Sequence, residues 1–249
     1  MDQMKTQAEK VGTIIHNDMI SKIDLSTKPF IAIGDSGTTY ISETIIISTG
    51  AKARWLNIES EQRYKGYGIS ACATCDGFFY KDKEVAVIGG GNSAAEEALF
   101  LTNFASKVTM IHRRDSFRSE KILQERIFNN KKIKILWDKT VKEFVGQDNP
   151  KSLEKIILND LKSKSLIELK VSGAFMAIGH DPATELFVGQ LKMDDENYII
   201  TKPDSTKTSI DGVYAAGDVK DKVFRQAVTA AGMGCMAALE AEKYLSKNN

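Results

Sequence analysis

The chain has 249 residues, of which 42% are hydrophobic and 27% are charged, and its formal net charge is +1. A chain of this length and composition buries a core of normal size, so no disulfide scaffold is required. The balanced charge indicates no nucleic-acid partner, and no apolar run reaches the length of a membrane span. The polar start, which lacks the apolar region of a signal peptide, predicts a cytoplasmic protein.

The first part of the chain predicts one helix followed by strands. A polar helix is predicted over residues 2–11 and an extended segment over residues 12–25. A pair of strands follows within residues 28–50, because the tetrapeptide "GDSG" in its middle is a turn signal. The apolar, β-branched run over residues 44–49 predicts a buried strand.

From residue 84 the pattern changes to alternating strands and helices. "EVAVIGGGNSAAEEALFL" combines a short apolar strand, a Gly-rich turn and a helix former, while "KVTMIHRR" and "KIKILWD" predict two further strands. The intervening "SEKILQERIFNN" has apolar side chains at helical spacing, at Ile122, Leu123, Ile127 and Phe128. The resulting β-α-β-α-β order predicts half of a doubly wound nucleotide-binding fold.

The rest of the chain predicts a hairpin, short strands and a closing helix. "SLEKIILNDL" and "LIELKVSGAFMAIG" flank the turn "KSKS" and therefore predict two paired strands. An Ala-rich helix is predicted over residues 227–245. Gly and Pro in segment 177–182 indicate a domain crossing, and segment 48–54 is interpreted as a second crossing. The middle domain is therefore expected at 54–178, and the outer domain at 1–53 and 179–249.

The Gly-rich turn carries the pattern G-x-G-x-x-A in the context that the pattern requires, directly after an apolar strand and at the start of a helix. Gly89 permits the tight turn, Gly91 lets the backbone approach a pyrophosphate, and Ala94 allows close packing of helix and strand. The helix N-terminus offers free N–H groups to the anion. The turn therefore predicts a dinucleotide site made by Gly89, Gly90, Gly91, Asn92, Ser93 and Ala94.

The end of the second strand distinguishes NADP from NAD. An NAD site has a carboxylate there, which accepts a hydrogen bond from the ribose 2′-hydroxyl. Here the strand ends in His112, Arg113 and Arg114, with Arg118 shortly after them. Guanidinium groups bind a 2′-phosphate bidentately, so the predicted ligand is NADP. The alternative is a solvated charge cluster at a helix start, which the preceding Gly-rich turn argues against.

The stretch "ACATCDGFF" contains Cys72 and Cys75, two of the three cysteines in the chain. A structural zinc site needs four ligands, and neither the histidines nor Cys235 shows ligand spacing, so no metal is predicted. The pair is followed by a turn and a strand, whereas a thioredoxin-type pair opens a helix, so the context differs from that of a thioredoxin-type site. Cys235 is expected to be a small buried residue. The remaining interpretation is a redox-active pair that receives electrons through a flavin. Asp76 is then either its proton donor and acceptor or a turn residue before Gly77.

These motifs together resemble the low-molecular-weight bacterial thioredoxin reductases. The resemblance rests on "ACATCDGFFYKDKEVAVIGGGNSAAEEALFL", "IHRRDSFR", "AIGHDP" and "GVYAAGDVKDKVFRQAVTAAGMGCMAALEAEKYL", and it extends over essentially the whole chain. It implies an α/β fold with two Rossmann-like domains, in which an NADPH domain is inserted into a FAD domain. It also implies a homodimer that reduces thioredoxin.

The resemblance further assigns roles to individual residues. Electrons would pass from NADPH via FAD to the Cys72–Cys75 disulfide and on to thioredoxin, with Cys75 facing the flavin, Cys72 attacking thioredoxin and Asp76 as acid and base. One domain would rotate against the other at the two crossings. The implied FAD contacts are Thr49, Gly50, Gly217, Asp218, Val219, Arg225, Gln226 and Ala227.

One departure from the family concerns the start of the chain. The family opens with its own strand, Gly-rich turn and helix, and no such stretch precedes the CxxC pair here. We therefore expect a FAD domain that lacks its N-terminal βαβ unit. The alternative function is a shortened, catalytically inactive NADP-binding module. Another flavin-disulfide reductase is a weaker alternative, since the glutathione type carries a longer C-x4-C motif near the start of its FAD domain.

Overall fold

The computed structural model describes residues 2–248, which form two compact units. One unit is discontinuous and comprises the chain up to Ala51 and from Pro182 onwards. The other, the continuous unit, is Lys52–Asp181. Both boundaries fall within the segments that the sequence indicates as crossings.

Most helices and strands of both units are short, and the longest are the last helix and the strands β10 and β11. The helices are α1 Asp2–Lys10, α2 Glu59–Tyr64, α3 Ala73–Asp76, α4 Asn92–Leu101, α5 Lys121–Phe128 and α6 Ala227–Asn248. The strands are β1 Ile20–Asp24, β2 Phe30–Gly34, β3 Thr39–Ser42, β4 Ile45–Ile47, β5 Ala51–Ala53, β6 Ile69–Ser70, β7 Glu84–Ile88, β8 Lys107–Ile111, β9 Ile133–Leu136, β10 Lys139–Asp148, β11 Lys151–Asp160, β12 Leu166–Lys170, β13 Gly173–Met176, β14 His180–Pro182 and β15 Val213–Ala215.

A parallel sheet with strand order β6-β13-β7-β8-β9 forms the centre of the continuous unit. The strands β7, β8 and β9 alternate with α4 and α5, so the predicted β-α-β-α-β order is confirmed. One face of the sheet, which includes Val85 and Val87, packs against these two helices. The helix α4 lies close to the sheet because the residues it buries there, including Ala95 and Ala98, are small.

An antiparallel sheet of β10, β11 and β12 belongs to a second core, on the opposite face of the parallel sheet. Ala86 and Ile88 of β7 lie in this core together with Phe144 of β10 and Ile156 and Leu158 of β11. Alternate residues of β7 thus enter different cores. The strand is apolar after its first residue because both of its faces are covered.

The sequence predicts the antiparallel sheet only in part. The hairpin of β11 and β12 is confirmed, but the second predicted stretch divides into β12 and β13, and β13 enters the parallel sheet between β6 and β7. The strand β10 is not predicted at all. Its register with β11 shifts between Val141 and Glu143 and again between Val145 and Gly146, so apolar and polar residues do not alternate with a period of two.

The carboxylate of Asp160 links β10 and β11. It lies 3.0 Å from the Lys139 Nζ and accepts hydrogen bonds from the backbone N–H groups of Lys162 and Ser163. The ammonium group, followed by these N–H donors, holds the pKa of Asp160 well below its usual range. Since the pKa is lowered in the folded state, the stabilisation is present above the unfolded-state pKa of about 4 and is lost as the pH falls below it.

We therefore expect Asp160→Asn to lower the melting temperature at pH 7 and to have a smaller effect at about pH 3. Thermal unfolding of the variant and the wild type at both pH values measures this difference. An equal loss of melting temperature at both pH values would contradict the assignment, because the loss would then not depend on the carboxylate charge.

The discontinuous unit contains an antiparallel sheet of β1, β2 and β3 and a parallel pair of β4 and β15. Its main core includes Phe30 of β2, Ile47 of β4 and Val213 of β15. A smaller cluster joins Tyr214 of β15 to α6, where the Tyr214 hydroxyl donates to the Glu240 carbonyl at 3.0 Å. These contacts attach the long helix to the parallel pair.

Of two predictions for the discontinuous unit, one needs correction and one is confirmed. The predicted strand over residues 44–49 is shorter, and only its last residue, Ile47, is buried, whereas Ile46 is 40% exposed. The predicted first helix is confirmed as α1, although none of its side chains is buried. No helix in residues 2–248 combines the length and the apolar character needed to span a membrane.

The segments by which the chain enters and leaves the continuous unit lie side by side. The strands β5 and β14 form a two-stranded sheet. The Arg54 N–H donates to the Gly179 carbonyl at 2.9 Å, and the Arg54 guanidinium binds Asp181. This guanidinium lowers the pKa of Asp181. The two crossings are therefore joined by both backbone and side-chain hydrogen bonds.

Candidate active site

The CxxC pair forms a disulfide in the continuous unit. Cys72 and Cys75 are joined at an S–S distance of 2.06 Å, and their Cα atoms are 5.3 Å apart. Cys72 is the N-cap of the short helix α3, and its Sγ accepts a hydrogen bond from the Cys75 N–H at 3.1 Å. The Cys72 N–H in turn donates to the Oγ of Ser70, the last residue of β6. The strand and the helix turn thereby fix the position of the pair.

The residues around the disulfide divide into an anchored set and an exposed set. Ala73 is buried in the core against the parallel sheet, and the Tyr80 ring packs against Phe175 of β13 at 5.3 Å between centroids. Burial, with a smaller contribution from the negative charge of Asp76, raises the pKa of Tyr80. Cys75 is exposed, while Cys72 and Asp76 are partly exposed. The loop thus presents its disulfide at the surface.

Two aromatic side chains follow the disulfide and are exposed as well. Phe78 and Phe79 are 68% and 70% exposed. Adjacent exposed rings beside a reactive pair form an apolar surface that a partner would cover. Within the described part of the chain, no group of three or more His, Cys, Asp or Glu residues is placed to hold a metal ion.

The Gly-rich turn connects β7 to α4, and its glycines differ in their surroundings. Gly89 has φ +152°, and a Cβ there would overlap the Ala177 carbonyl oxygen and approach the Ala94 Cβ. Ala94 itself is fully buried in the core. At Gly91, by contrast, a Cβ would have no protein atom within 4 Å. Gly89 is therefore needed for the fold, whereas Gly91 leaves open space in front of the first turn of α4.

His112 lies beneath this turn rather than at the surface. It is 5% exposed, and its ring occupies the space that a Cβ on Gly90 would need. Phe117 and Trp137 pack around it, with ring centroids at 5.8 and 6.1 Å. Burial, and to a smaller extent the neighbouring positive charges, lowers the pKa of His112. The imidazole is therefore neutral at neutral pH and adds no charge to an anion site.

The three arginines lie in the segment between β8 and α5, which we call the arginine loop (residues 113–118). Arg113, Arg114 and Arg118 are all exposed. In residues 2–248, none of the three forms an ion pair with a carboxylate. The Arg118 N–H donates to the Gly90 carbonyl at 2.8 Å, so the loop lies directly against the Gly-rich turn. Three unpaired guanidinium groups beside open space are suited to a phosphate.

The residues that the resemblance assigns to FAD lie in the discontinuous unit. Ile47 and Ala215 pair in the parallel strands β4 and β15, so the residues after both strands meet at one edge. These are Thr49 and Gly50 after β4, and Gly217, Asp218 and Val219 after β15. A Cβ at Gly217 would lie 3.3 Å from the Ala230 Cβ, so the first turns of α6 reach the same edge, preceded by Arg225 and Gln226 and beginning with Ala227.

Asp221 organises the segment before α6, and sequence reasoning missed it. Its buried carboxylate accepts hydrogen bonds from the N–H groups of Val223, Phe224 and Arg225 at 2.9–3.2 Å. The sequence feature that could have identified this role is an Asp directly before a loop that leads into a helix, because its carboxylate can accept from nearby backbone N–H groups. Burial, followed by the charge of Asp221, raises the pKa of Asp218. Val219 differs from its neighbours, because its side chain is buried in the core.

The expectation that Cys235 is buried is wrong, because the structure leaves it exposed as a free thiol. Its helix, α6, buries Ala237 and Ala241 instead. These two residues are spaced by one helical turn and define the buried face of that part of the helix.

Comparisons with known proteins agree with this arrangement. A family model described as pyridine nucleotide-disulphide oxidoreductase matches residues 2–234. A thioredoxin reductase of Rickettsia felis is 60% identical over 247 residues, which cover 99% of this chain and 80% of that protein. Thioredoxin reductase of Vibrio cholerae is 50% identical over 252 residues, covering 98% of this chain and 78% of that protein.

Solved structures give the same result. Thioredoxin reductase from Giardia duodenalis matches with a TM-score of 0.94 and 39% identity, over 98% of this chain and 80% of the other. Thioredoxin reductase from Streptococcus pyogenes matches with a TM-score of 0.92 and 37% identity, over 99% of this chain and 79% of the other. The chain therefore belongs to the thioredoxin reductases of the pyridine nucleotide-disulphide oxidoreductase family.

Proposed function

We propose that the chain is an NADPH-dependent thioredoxin-disulfide reductase whose redox-active group is the Cys72–Cys75 disulfide. The observation that carries this proposal is the combination, in one compact unit, of a surface disulfide and a Gly-rich turn bordered by unpaired arginines. A disulfide accepts two electrons, and a nicotinamide supplies two as a hydride.

The surroundings of the Gly-rich turn support NADPH as the electron donor. The open space at Gly91 and the first turn of α4 suit a pyrophosphate. The arginine loop offers guanidinium groups to a 2′-phosphate, and no carboxylate stands at the end of β8 to accept from a 2′-hydroxyl. His112 contributes through packing beneath Gly90, since its ring is buried and neutral.

The edge formed by β4, β15 and α6 supports FAD binding in the discontinuous unit. The partly buried Asp218, whose pKa is raised by burial, is suited to hydrogen bonds with ligand hydroxyl groups. The backbone amides of the first turn of α6 lie at the positive end of the helix dipole and are suited to an electron-rich ring. When bound, FAD supplies the two-electron relay between nicotinamide and disulfide.

The chemistry at the sulfurs follows from the local hydrogen bonds. Two electrons and two protons convert the disulfide into two thiols, and Asp76, directly after Cys75, is placed in sequence to exchange a proton with its Sγ. The Cys75 N–H, which donates to Cys72 Sγ, favours a thiolate on Cys72. That thiolate attacks one sulfur of the thioredoxin disulfide and releases the other as a thiolate, which gives a mixed disulfide between Cys72 and thioredoxin. The Cys75 thiolate then attacks Cys72 Sγ, which reforms the Cys72–Cys75 bond and releases reduced thioredoxin.

The proposal also covers the surface for the protein substrate, the cellular compartment and the oligomeric state. The exposed Phe78 and Phe79 give the protein substrate an apolar surface beside the disulfide. Thiol exchange with thioredoxin belongs in the reducing cytoplasm, and we infer a homodimer as the working form.

The test is reduction of the disulfide by NADPH in the full chain, with and without added FAD. We expect NADPH to be consumed and thiols to appear at Cys72 and Cys75, as detected by alkylation and mass spectrometry, when FAD is present. Thioredoxin, added next, should become reduced. Binding of NADPH without any thiol formation, even with excess FAD, would overturn the proposal and support the inactive NADP-binding module instead.

A further inference from the structure

The guanidinium groups of the arginine loop are exposed and do not anchor it to the rest of the unit. The position of its backbone therefore depends on contacts near its two ends. At one end the His112 N–H donates to the Leu136 carbonyl at 3.0 Å, and the His112 ring packs against Gly90. At the other end the Arg118 N–H donates to the Gly90 carbonyl at 2.8 Å. Gly90 thus touches the loop at both ends, and the loop is positioned relative to the Gly-rich turn.

A third link between the loop and the turn runs through side chains. Asn92, the first residue of α4, accepts a hydrogen bond at its Oδ1 from the Glu120 N–H at 2.8 Å. Its Nδ2 donates to the Glu120 Oε1 at 3.3 Å. Glu120 is the N-cap of α5 and lies two residues after Arg118. We call this reciprocal pair of hydrogen bonds the Asn92–Glu120 clasp.

The clasp differs from the other links in that it is exposed. Asn92 and Glu120 both lie at the surface, whereas His112 is buried in an aromatic cluster. Removing the Asn92 side chain therefore opens no cavity in the core. It frees only the start of α5 and the adjacent end of the arginine loop from the start of α4.

We propose that Asn92 is a positioning residue that sets the preference for NADPH over NADH. By holding Glu120, it fixes the distance between the arginine loop and the Gly-rich turn. At this distance one ligand can place its pyrophosphate at the turn and its 2′-phosphate at the loop. This inference rests on the proposed NADPH site. A nucleotide without the 2′-phosphate uses only the turn, so its affinity depends less on the clasp.

The test compares the dissociation constants of NADP⁺ and NAD⁺ for the full chain by isothermal titration calorimetry. Asn92→Ala keeps the backbone N–H that the turn offers to the pyrophosphate and removes only the two side-chain hydrogen bonds to Glu120. We therefore expect NADP⁺ binding to weaken about three- to tenfold, as for the loss of one or two exposed hydrogen bonds, and NAD⁺ binding to weaken by a clearly smaller factor. The matched control is Asn130→Ala. Asn130 also links two segments of this unit by two side-chain hydrogen bonds, to Thr102 and Lys132, but away from the turn.

A reversed pair provides the rescue. Asn92→Asp alone places a carboxylate against Glu120 and should lower the NADP⁺ preference at least as much as the alanine. Adding Glu120→Gln exchanges the positions of the carboxylate and the amide in the clasp. The carboxylate introduced on α4 then accepts from both the backbone N–H and the new side-chain amide at position 120. The total charge of the pair is the same as in the wild type. We expect the double variant to recover most of the preference.

Three outcomes would overturn the inference. The first is an Asn92→Ala variant with an unchanged ratio of the two dissociation constants. The second is an equal weakening of both nucleotides, which indicates damage to the turn. The third is equal affinity of the wild type for NADP⁺ and NAD⁺, which appears before any variant is compared and also overturns the proposed NADPH preference.

Discussion

Replacing Cys75 with Ser is expected to abolish thioredoxin reduction, with a loss of at least about a thousandfold in turnover, comparable to removal of a catalytic nucleophile. The variant has no disulfide to accept electrons, since Cys72 is left alone. Its affinity for NADP⁺ should stay within about twofold of the wild type, because the Gly-rich turn and the arginine loop lie outside the altered helix turn. Thioredoxin turnover and NADP⁺ titration of the same preparation measure both quantities.

The matched control for this prediction is Cys235→Ser. Cys235 is an exposed free thiol in α6 and takes no part in the disulfide. Its replacement should leave turnover unchanged and also remove the third cysteine of the chain from the alkylation pattern. A Cys75→Ser variant that still reduced thioredoxin at a sizeable rate would show that the electrons take a route other than the Cys72–Cys75 pair.

Substitution by alanine is expected to affect stability strongly at one glycine of the turn and hardly at all at another. Gly89→Ala places a Cβ against the Ala177 carbonyl oxygen at φ +152°, where a side chain is strained. A loss of more than about 3 kcal/mol of stability is expected, with a fall of roughly 6–12 °C in melting temperature. Gly91 has φ −97°, and a Cβ added there meets no protein atom within 4 Å. The melting temperature of Gly91→Ala should therefore differ from that of the wild type by less than about 2 °C.

The ligand distinguishes the two variants further. The Cβ at position 91 enters the space through which the backbone approaches the pyrophosphate, so Gly91→Ala should weaken NADP⁺ binding at least about tenfold while the protein remains folded. Gly232→Ala, in the exposed part of α6, serves as the control for both measurements, since its Cβ also meets nothing within 4 Å. A stable Gly91→Ala variant with wild-type NADP⁺ affinity would remove the turn from the proposed site.

The part of the parallel sheet formed by β7, β8 and β9 was predictable because its signals are local. Each strand of β7, β8 and β9 is a short apolar run, and each connecting helix has its own periodic pattern. The strand β10 was not, because its two register shifts break the alternation on which recognition of a half-buried strand depends. The short strands β5 and β14 carry little pattern of their own and are defined by their pairing with each other.

The buried face of α6 could not be predicted for a related reason. Its first half is made mostly of Ala and Gly, so no apolar stripe distinguishes one face from another. The structure buries Ala237 and Ala241 and leaves Met236, Leu239 and Cys235 exposed. Contacts with residues far away in sequence, Tyr214 and Ala216 among them, select the face.

The site was predictable as a set of motifs but not as a set of contacts. The cysteine pair, the Gly-rich turn and the arginines each have a fixed local spacing. The sequence does not show that Asn92 bonds to Glu120, or that His112 turns inward under Gly90, because those contacts join residues separated by more than twenty positions. Asp221 was missed because most of its partners are backbone amides, which leave no mark on the side-chain pattern.

The division of one unit into two chain segments has a consequence for biosynthesis. The strand β4 leaves the ribosome long before β15, its hydrogen-bonded neighbour, has been translated. Lys52–Asp181, by contrast, is complete as soon as its last residue emerges and can fold while the chain is still growing. The edge at Ile45–Ile47 stays unpaired until β15 has been translated, which is after the whole continuous unit has been made. The nascent chain is therefore exposed to aggregation at this edge, and depends on chaperones, throughout that interval.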